Sequence, residues 1–155
     1  VSVTGRIAGG TEDLFPSAAR TAISNNLTLT KNTFYKSIAA VATVDLPQSD
    51  LNKGDFVDVL YTAAVTNNIT HTYRTTGKYA IGSTIRVVGE DATRVAVVDE
   101  SVEADTQLKV VGKTNGDGGI GTHIRFFYNG EKWAAQAVVE GQGAKSVASS
   151  GSVFA

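Results

Sequence analysis

The chain has no cysteine. That excludes disulfides, thiolate metal sites and thiol nucleophiles together, so stability has to come from packing and assembly. Methionine is also absent, and Val1 is the kind of small residue that follows a removed initiator, so the expectation is a mature chain. Two prolines stand against 16 glycines with no periodic repeat, which fits neither a collagen-like nor a proline-rich chain. An excess of one charge is missing as well: 14 basic residues meet 15 acidic ones. Without a net field to draw in a polyanion or an anionic bilayer, neither nucleic acid nor membrane is expected as a partner. No apolar run approaches the roughly 20 residues of a membrane span, and no basic stretch followed by an apolar one opens the sequence. Neither a spanning segment nor an export signal is therefore expected. Without such a signal the sequons Asn26-Leu27-Thr28 and Asn68-Ile69-Thr70 carry no weight.

What remains is an ordinary globular composition, 42% apolar and 19% charged over 155 residues, enough for one domain with a sizeable core. Charge is mildly uneven along it. Arg6, Arg20, Lys31 and Lys36 outweigh Glu12 and Asp13 early on, and Glu90, Asp91, Asp99, Glu100, Glu103 and Asp105 outweigh Arg94 later. Solvated loops account for this more simply than a charge-matched contact between subunits.

Residues 1–33 mix small and polar side chains, with Leu14 and Phe15 the only large apolar ones before Leu27 apart from Ile7 and Ile23. They read as an arm, and Thr11–Arg20 has the capping residue, early acids and alanines of one or two helical turns. Pro16 suits only the first of them. From Leu27 onward, short runs rich in Val, Ile, Thr, Tyr and Phe alternate with Gly, Asn, Asp and Pro. Roughly nine strands are predicted: 27–31, 33–46 with a break, 55–62, 68–75, 79–88, 93–99, 106–112, 122–128 and 132–139. Ile69, His71 and Tyr73 alternate with Thr70, Thr72 and Arg74, the pattern of one dry and one wet face. Two runs, Phe56–Tyr61 and Arg94–Val98, are apolar on both sides and need cover twice, from a second sheet or from another subunit. No window sustains a helical period, so the fold class is all-β: an antiparallel sandwich or barrel of eight or nine short strands behind an extended arm. Asn129-Gly130 marks a tight hairpin. The domain plan is an arm at 1–33, a β-domain at 34–140 and a Gly/Ser-rich tail at 141–155, whose terminal Val153-Phe154 suggests docking.

Candidate chemistry is sparse. Residues 116–121 match the spacing G-x-G-x-x-G, but that motif works at the start of a helix, and a strand follows here; the stretch reads as a hairpin loop. His71 and His123 each sit inside a predicted strand, and with neither Cys nor a third His they make no zinc site. No nucleophile-elbow sequence accompanies them. The acids of Asp99–Asp105 lack the spacing of a calcium loop and read as a solvated turn rather than as paired catalytic carboxylates. Trp133, Tyr128, Phe126, Tyr61, Tyr73 and Tyr79 form either a sugar-stacking platform or, more simply, core. No catalytic, metal or cofactor residue is assigned.

The order of the pieces is more informative than any one of them. A Val/Thr-rich strand ends in Asp45-Leu46-Pro47, Gly54-Asp55 opens Phe56–Tyr61, and an Asn/Thr-rich strand at Thr66–Thr70 precedes Gly82–Val87; Phe126-Phe127-Tyr128-Asn129-Gly130-Glu131-Lys132-Trp133 closes the module. Over residues 34–140 this progression resembles the small β-domains of bacteriophage tail fibres, head fibres and capsid decoration (cement) proteins. The resemblance implies a homotrimer on the capsid surface of a virion, made in the host cytoplasm, with the major capsid protein or other virion proteins as partners. The absence of a shaft or repeat favours decoration or a short head fibre over a tail fibre. Leu14, Phe15, Phe126, Tyr128, Trp133 and Phe154 are then the expected interface residues. A receptor- or glycan-binding module is the alternative function, and an enzyme is not expected.

Overall fold

A computed structural model of the protein describes residues 20–23, 26–37, 43–65, 69–88, 96–102, 104–112, 117–141 and 152–155. They form twelve strands and no helix: β1 (Thr21–Ala22), β2 (Leu27–Thr28), β3 (Thr33–Ser37), β4 (Thr43–Asp45), β5 (Phe56–Tyr61), β6 (Thr70–Arg74), β7 (Thr84–Val88), β8 (Ala96–Glu100), β9 (Gln107–Val111), β10 (His123–Tyr128), β11 (Trp133–Glu140) and β12 (Val153–Phe154). The expectations placed on Leu14, Phe15, the helical turns before Arg20 and most of the 141–155 tail lie outside the described residues.

Two sheets hold these strands, a seven-stranded one in the order β1-β3-β5-β10-β11-β7-β8 and a five-stranded one in the order β12-β9-β6-β4-β2. The first six strands alternate between them. Each odd–even pair makes an arch from one sheet to the other, and the three arches stack in parallel. Thr21, Tyr35 and Val59 align across the large sheet, and Leu27, Val44 and Tyr73 across the small one. Parallel neighbours need a long crossover, commonly a helix. Here the strand in the opposite sheet is the crossover. The expected antiparallel sheets are thus corrected to mixed ones, with β1/β3, β3/β5, β2/β4, β4/β6 and β7/β11 parallel and the other pairs antiparallel. Apolar alternation specifies which face a side chain takes, not the direction of the neighbouring strand.

The core is built from the inward residues of both sheets. Val57, Val59, Tyr61, Ile85, Val87, Ile124, Phe126, Ala135 and Val139 come from the large sheet, and Val44, His71, Tyr73, Leu108 and Val110 from the small one. The rings of Tyr73 and Tyr79 lie 5.4 and 6.4 Å from that of Phe126. Enclosing each such ring contributes roughly 2–3 kcal/mol before its ordering entropy is charged.

Turn chemistry follows the sequence closely. At the β10–β11 hairpin, Gly130 takes φ +108° while the Asn129 side chain accepts from the backbone N–H of Glu131 and Lys132. Within the glycine-rich stretch, Gly118 has φ +76°, and a Cβ there would lie 2.5 Å from Val65. Glycine is required by that close approach, and the chain runs on into β10 rather than into a helix. The end of the tail docks. β12 pairs with β9, the Phe154 ring meets Tyr79 edge-on at 5.4 Å, and the Ala155 carbonyl accepts from Thr106 and Gln107.

Candidate functional site

Strand alternation puts Phe56, Asp58 and Leu60 of β5 on the side of the large sheet that faces away from the core. A carboxylate in that position belongs in water, yet Asp58 is fully buried. Its neighbours explain why. Arg20 donates from Nη1 to Asp58 Oδ1 at 2.6 Å and to the Tyr35 carbonyl at 3.1 Å, with the Phe34 ring 5.3 Å beneath the guanidinium. On the other side His123 Nε2 lies 2.8 Å and Arg125 Nε 3.3 Å from Asp58 Oδ2. Burial alone would raise the Asp58 pKa, but the hydrogen bonds from His123 and Arg20 outweigh it and hold the carboxyl at about 2. One buried negative charge thus gathers three basic side chains, of which Arg20 is enclosed while His123 and Arg125 reach solvent. Arg20 Nε is buried without a hydrogen-bond partner.

Two depressions adjoin this cluster. Phe34, Phe56, Phe127 and Arg125 line an aromatic hollow of about 390 Å³. Arg86, His123, Arg125, Thr84, Gln136 and Val138 line a cationic groove of about 380 Å³. Arg125 belongs to both, so the outer face reads as one surface, aromatic at the β3/β5 end and basic toward β7.

The second histidine has a different setting. His71 lies between the sheets, with Nδ1 2.9 Å from the Tyr61 hydroxyl and 3.3 Å from Ser37 Oγ; Tyr61 and Tyr73 share a hydroxyl contact of 2.9 Å. Burial pushes the His71 pKa down to about 4 and those of Tyr61 and Tyr73 up. All four groups are enclosed. A serine beside a histidine suggests nucleophilic chemistry, but no acid orients this imidazole among the described residues and its Nε2 has no partner. The cluster is a neutral core network.

Two acids of the 99–105 stretch serve the backbone, Asp99 accepting from the Phe154 N–H and Asp105 from the Val102 N–H, while Glu103 lies outside the described residues. They do not converge, and no group of three metal-ligating side chains occurs among the described residues. Near them β8 ends the large sheet, with Val98, Val102 and, on the adjacent β7 side, Ile81 at 56, 60 and 72% exposure.

Of the residues expected at an interface, Phe126, Trp133 and Phe154 are enclosed by their own chain, and Trp133 Nε1 donates to the Pro47 carbonyl at 2.9 Å. Their size and apolarity marked them for burial, and the chain itself provides it: Tyr73 and Tyr79 meet Phe126, Tyr128 and Pro47 meet Trp133, and Tyr79 meets Phe154. Tyr128 is half-buried against Trp133 at the rim of a cleft of about 270 Å³, which Gln48, Thr76 and Lys132 also line. Sequence reading missed Asp58 as a centre; the available signal was a single acid within an otherwise apolar strand, a charge that burial obliges to be paired. No family model matches the chain, and no curated protein or solved structure matches it.

Proposed function

We propose that the protein is a non-catalytic structural subunit that works by associating with copies of itself and with a larger shell, in keeping with the resemblance to virion β-modules. On this reading it is a homotrimeric capsid decoration or short head-fibre subunit, seated on the capsid surface and contacting the major capsid protein or other virion proteins. The observation that supports it is the β8 end of the large sheet. Terminal strands present unpaired N–H and C=O groups and are usually blunted by charge or covered. Here Val98, Val102 and Ile81 add exposed apolar surface to that edge. Another copy laid against it satisfies the backbone and buries the three side chains together.

Native mass spectrometry tests this directly. A trimer is expected, and the pair Val98→Asp, Val102→Asp should dissociate it with the far-ultraviolet circular dichroism unchanged. A wild-type chain that remains monomeric at micromolar concentration overturns the proposal. Co-sedimentation with purified capsid shells addresses the second half; a trimer that leaves the shells unbound is no decoration protein.

The glycan-binding alternative moves from Trp133 to the cleft beside Tyr128, where one ring edge, Gln48, Thr76 and Lys132 offer stacking and hydrogen bonds. A glycan array in which Tyr128→Ala abolishes a signal supports it; an array without signal removes it.

A further inference from the structure

The outward side chains of the large sheet stand in rows across its strands. Phe56 faces Phe127 in one row, Phe34, Asp58, Arg125, Gln136 and Thr84 make the next, and Leu60, His123, Val138 and Arg86 make a third. The rings therefore gather toward β3 and β5, while the cations run from β10 to β7. Phe34 is 42% and Phe127 38% exposed. The cations have donors to spare: Arg125 uses only Nε on Asp58, and Arg86 makes no ion pair among the described residues. Arg20 already meets the Asp58 charge from the enclosed side, so the face keeps a positive excess. Two other carboxylates stand on it, Glu100 at the β8 edge and Glu140 at the end of β11, and neither lines the groove.

An occupant of this surface has to be anionic and partly apolar. The whole chain is close to neutral, so an anion is drawn by this local excess and not by an overall field. The hollow narrows the choice. Its walls are three phenylalanine rings and Arg125, with no hydroxyl or amide side chain among them. A sugar seated there loses hydrogen bonds from its hydroxyls, whereas an apolar side chain loses none. Spacing favours a peptide as well. Phe127 and Arg125 are two residues apart on one strand face, about 6.8 Å, which is also the repeat of same-side residues along an extended peptide. From β10 to β7 the groove spans two strand spacings, roughly 10 Å, within reach of further acids on that peptide. Asp58 tethers Arg125 and His123 from beneath, which limits the ordering either loses on binding.

We propose that the outer face of the large sheet binds an extended acidic segment of another protein, with an aromatic side chain of that segment in the hollow of Phe34, Phe56 and Phe127 and its carboxylates on Arg125 and Arg86. Identifying that protein as part of a shell rests on the function proposed above; the chemistry of the contact does not. The hollow lies toward the opposite end of the sheet from the β8 edge.

A dye-labelled random copolymer of glutamate and tyrosine is the probe, followed by fluorescence anisotropy at low ionic strength. The full chain should bind it at least about tenfold more tightly than polyglutamate of equal length, because only the copolymer offers a ring to the hollow. Phe127→Ser should bring the copolymer down to the level of polyglutamate. Arg86→Glu should weaken both polymers about fivefold to tenfold, whereas Lys78→Glu, the same change in net charge made between β6 and β7 beside the Tyr128 cleft, should leave both within about twofold. All three side chains are exposed, so unchanged far-ultraviolet circular dichroism separates lost binding from lost fold. In the unsubstituted protein, added copolymer should shift the amide resonances of β3, β5, β10 and β7. Equal binding of the two polymers, no response to Phe127→Ser or Arg86→Glu, or no binding at all overturns the proposal, and so does polygalacturonate bound as tightly as the copolymer, which would assign the face to a sugar. The outcome is independent of assembly: a chain that binds the copolymer yet stays monomeric loses the homotrimer and keeps this site, and a trimer that binds shells but not the copolymer does the reverse.

Discussion

The two histidines of this chain sit in strands of similar make-up and have opposite fates. His71 is sealed between the sheets, neutral, beside Ser37 and Tyr61. His123 lies on the outer face of the large sheet, about a third exposed, against the buried carboxylate of Asp58. The inner network stores its polarity as hydroxyl and imidazole hydrogen bonds, at no cost in buried charge. The outer one keeps a full negative charge dry, and it does so only by surrounding it with cations. Networks of the first kind fail when a proton is added; those of the second fail when a partner is taken away.

The largest effect should come from breaking the outer cluster. Asp58→Ala strands the enclosed Arg20 guanidinium and should cost roughly 3–5 kcal/mol in urea unfolding, the range for a buried pair that loses one partner. Replacing Arg20 and Asp58 together by leucine should recover most of that loss, because two apolar groups need no counter-ion. If the double variant is as unstable as the single one, the cluster matters for its shape and not for its charge.

Acid should take the two networks apart in sequence. His71 has its pKa lowered from 6.5 to about 4, so the unfolded chain binds the proton first. The stability held in the neutral imidazole is complete above pH 6.5 and falls by about 3 kcal/mol as the pH drops to about 4. Asp58, lowered from 3.8 to about 2, contributes stability above pH 3.8 that is lost, by about 2 kcal/mol, as the pH falls toward 2. Urea midpoints against pH should show both slopes, and His71→Phe should flatten only the one between pH 6.5 and 4. A smaller effect, about 1 kcal/mol, is expected for Tyr61→Phe, which removes the hydroxyl linking Tyr73 to His71. The same midpoint measurement checks it.

How much of this was legible follows from what alternation can encode. It placed His71 and Tyr73 inward and Thr72 and Arg74 outward, and it divided Ile85 and Val87 from Arg86, as found. The break foreseen in 33–46 is where the chain leaves β3 in one sheet for β4 in the other. Direction was not legible. Nothing in Phe34–Ser37 or Phe56–Tyr61 says that these strands lie parallel, because that depends on the arch between them. Phe56–Tyr61 read as apolar on both sides, and its outer side holds Phe56 and Leu60 as expected; the significance of Asp58 between them depends on Arg20, 38 residues away, and on His123, 65 away. Trp133 was equally ambiguous: burial against Pro47 and exposure to a sugar ask for the same side chain.

The last test bears on how the outer cluster divides its work. His123 is the partner nearest solvent after Arg125, and a hydrogen bond whose donor side chain reaches solvent contributes about 1 kcal/mol because water competes for the donor. His123→Ala should therefore cost no more than that in urea unfolding. Arg20 remains on Asp58 in such a variant, so the carboxylate stays paired and dry. A loss approaching that of Asp58→Ala would mean that Arg20 and Arg125 together cannot hold the charge and that the imidazole is its principal partner. The difference between the two histidines would then lie in what they neutralise rather than in how deeply they are buried.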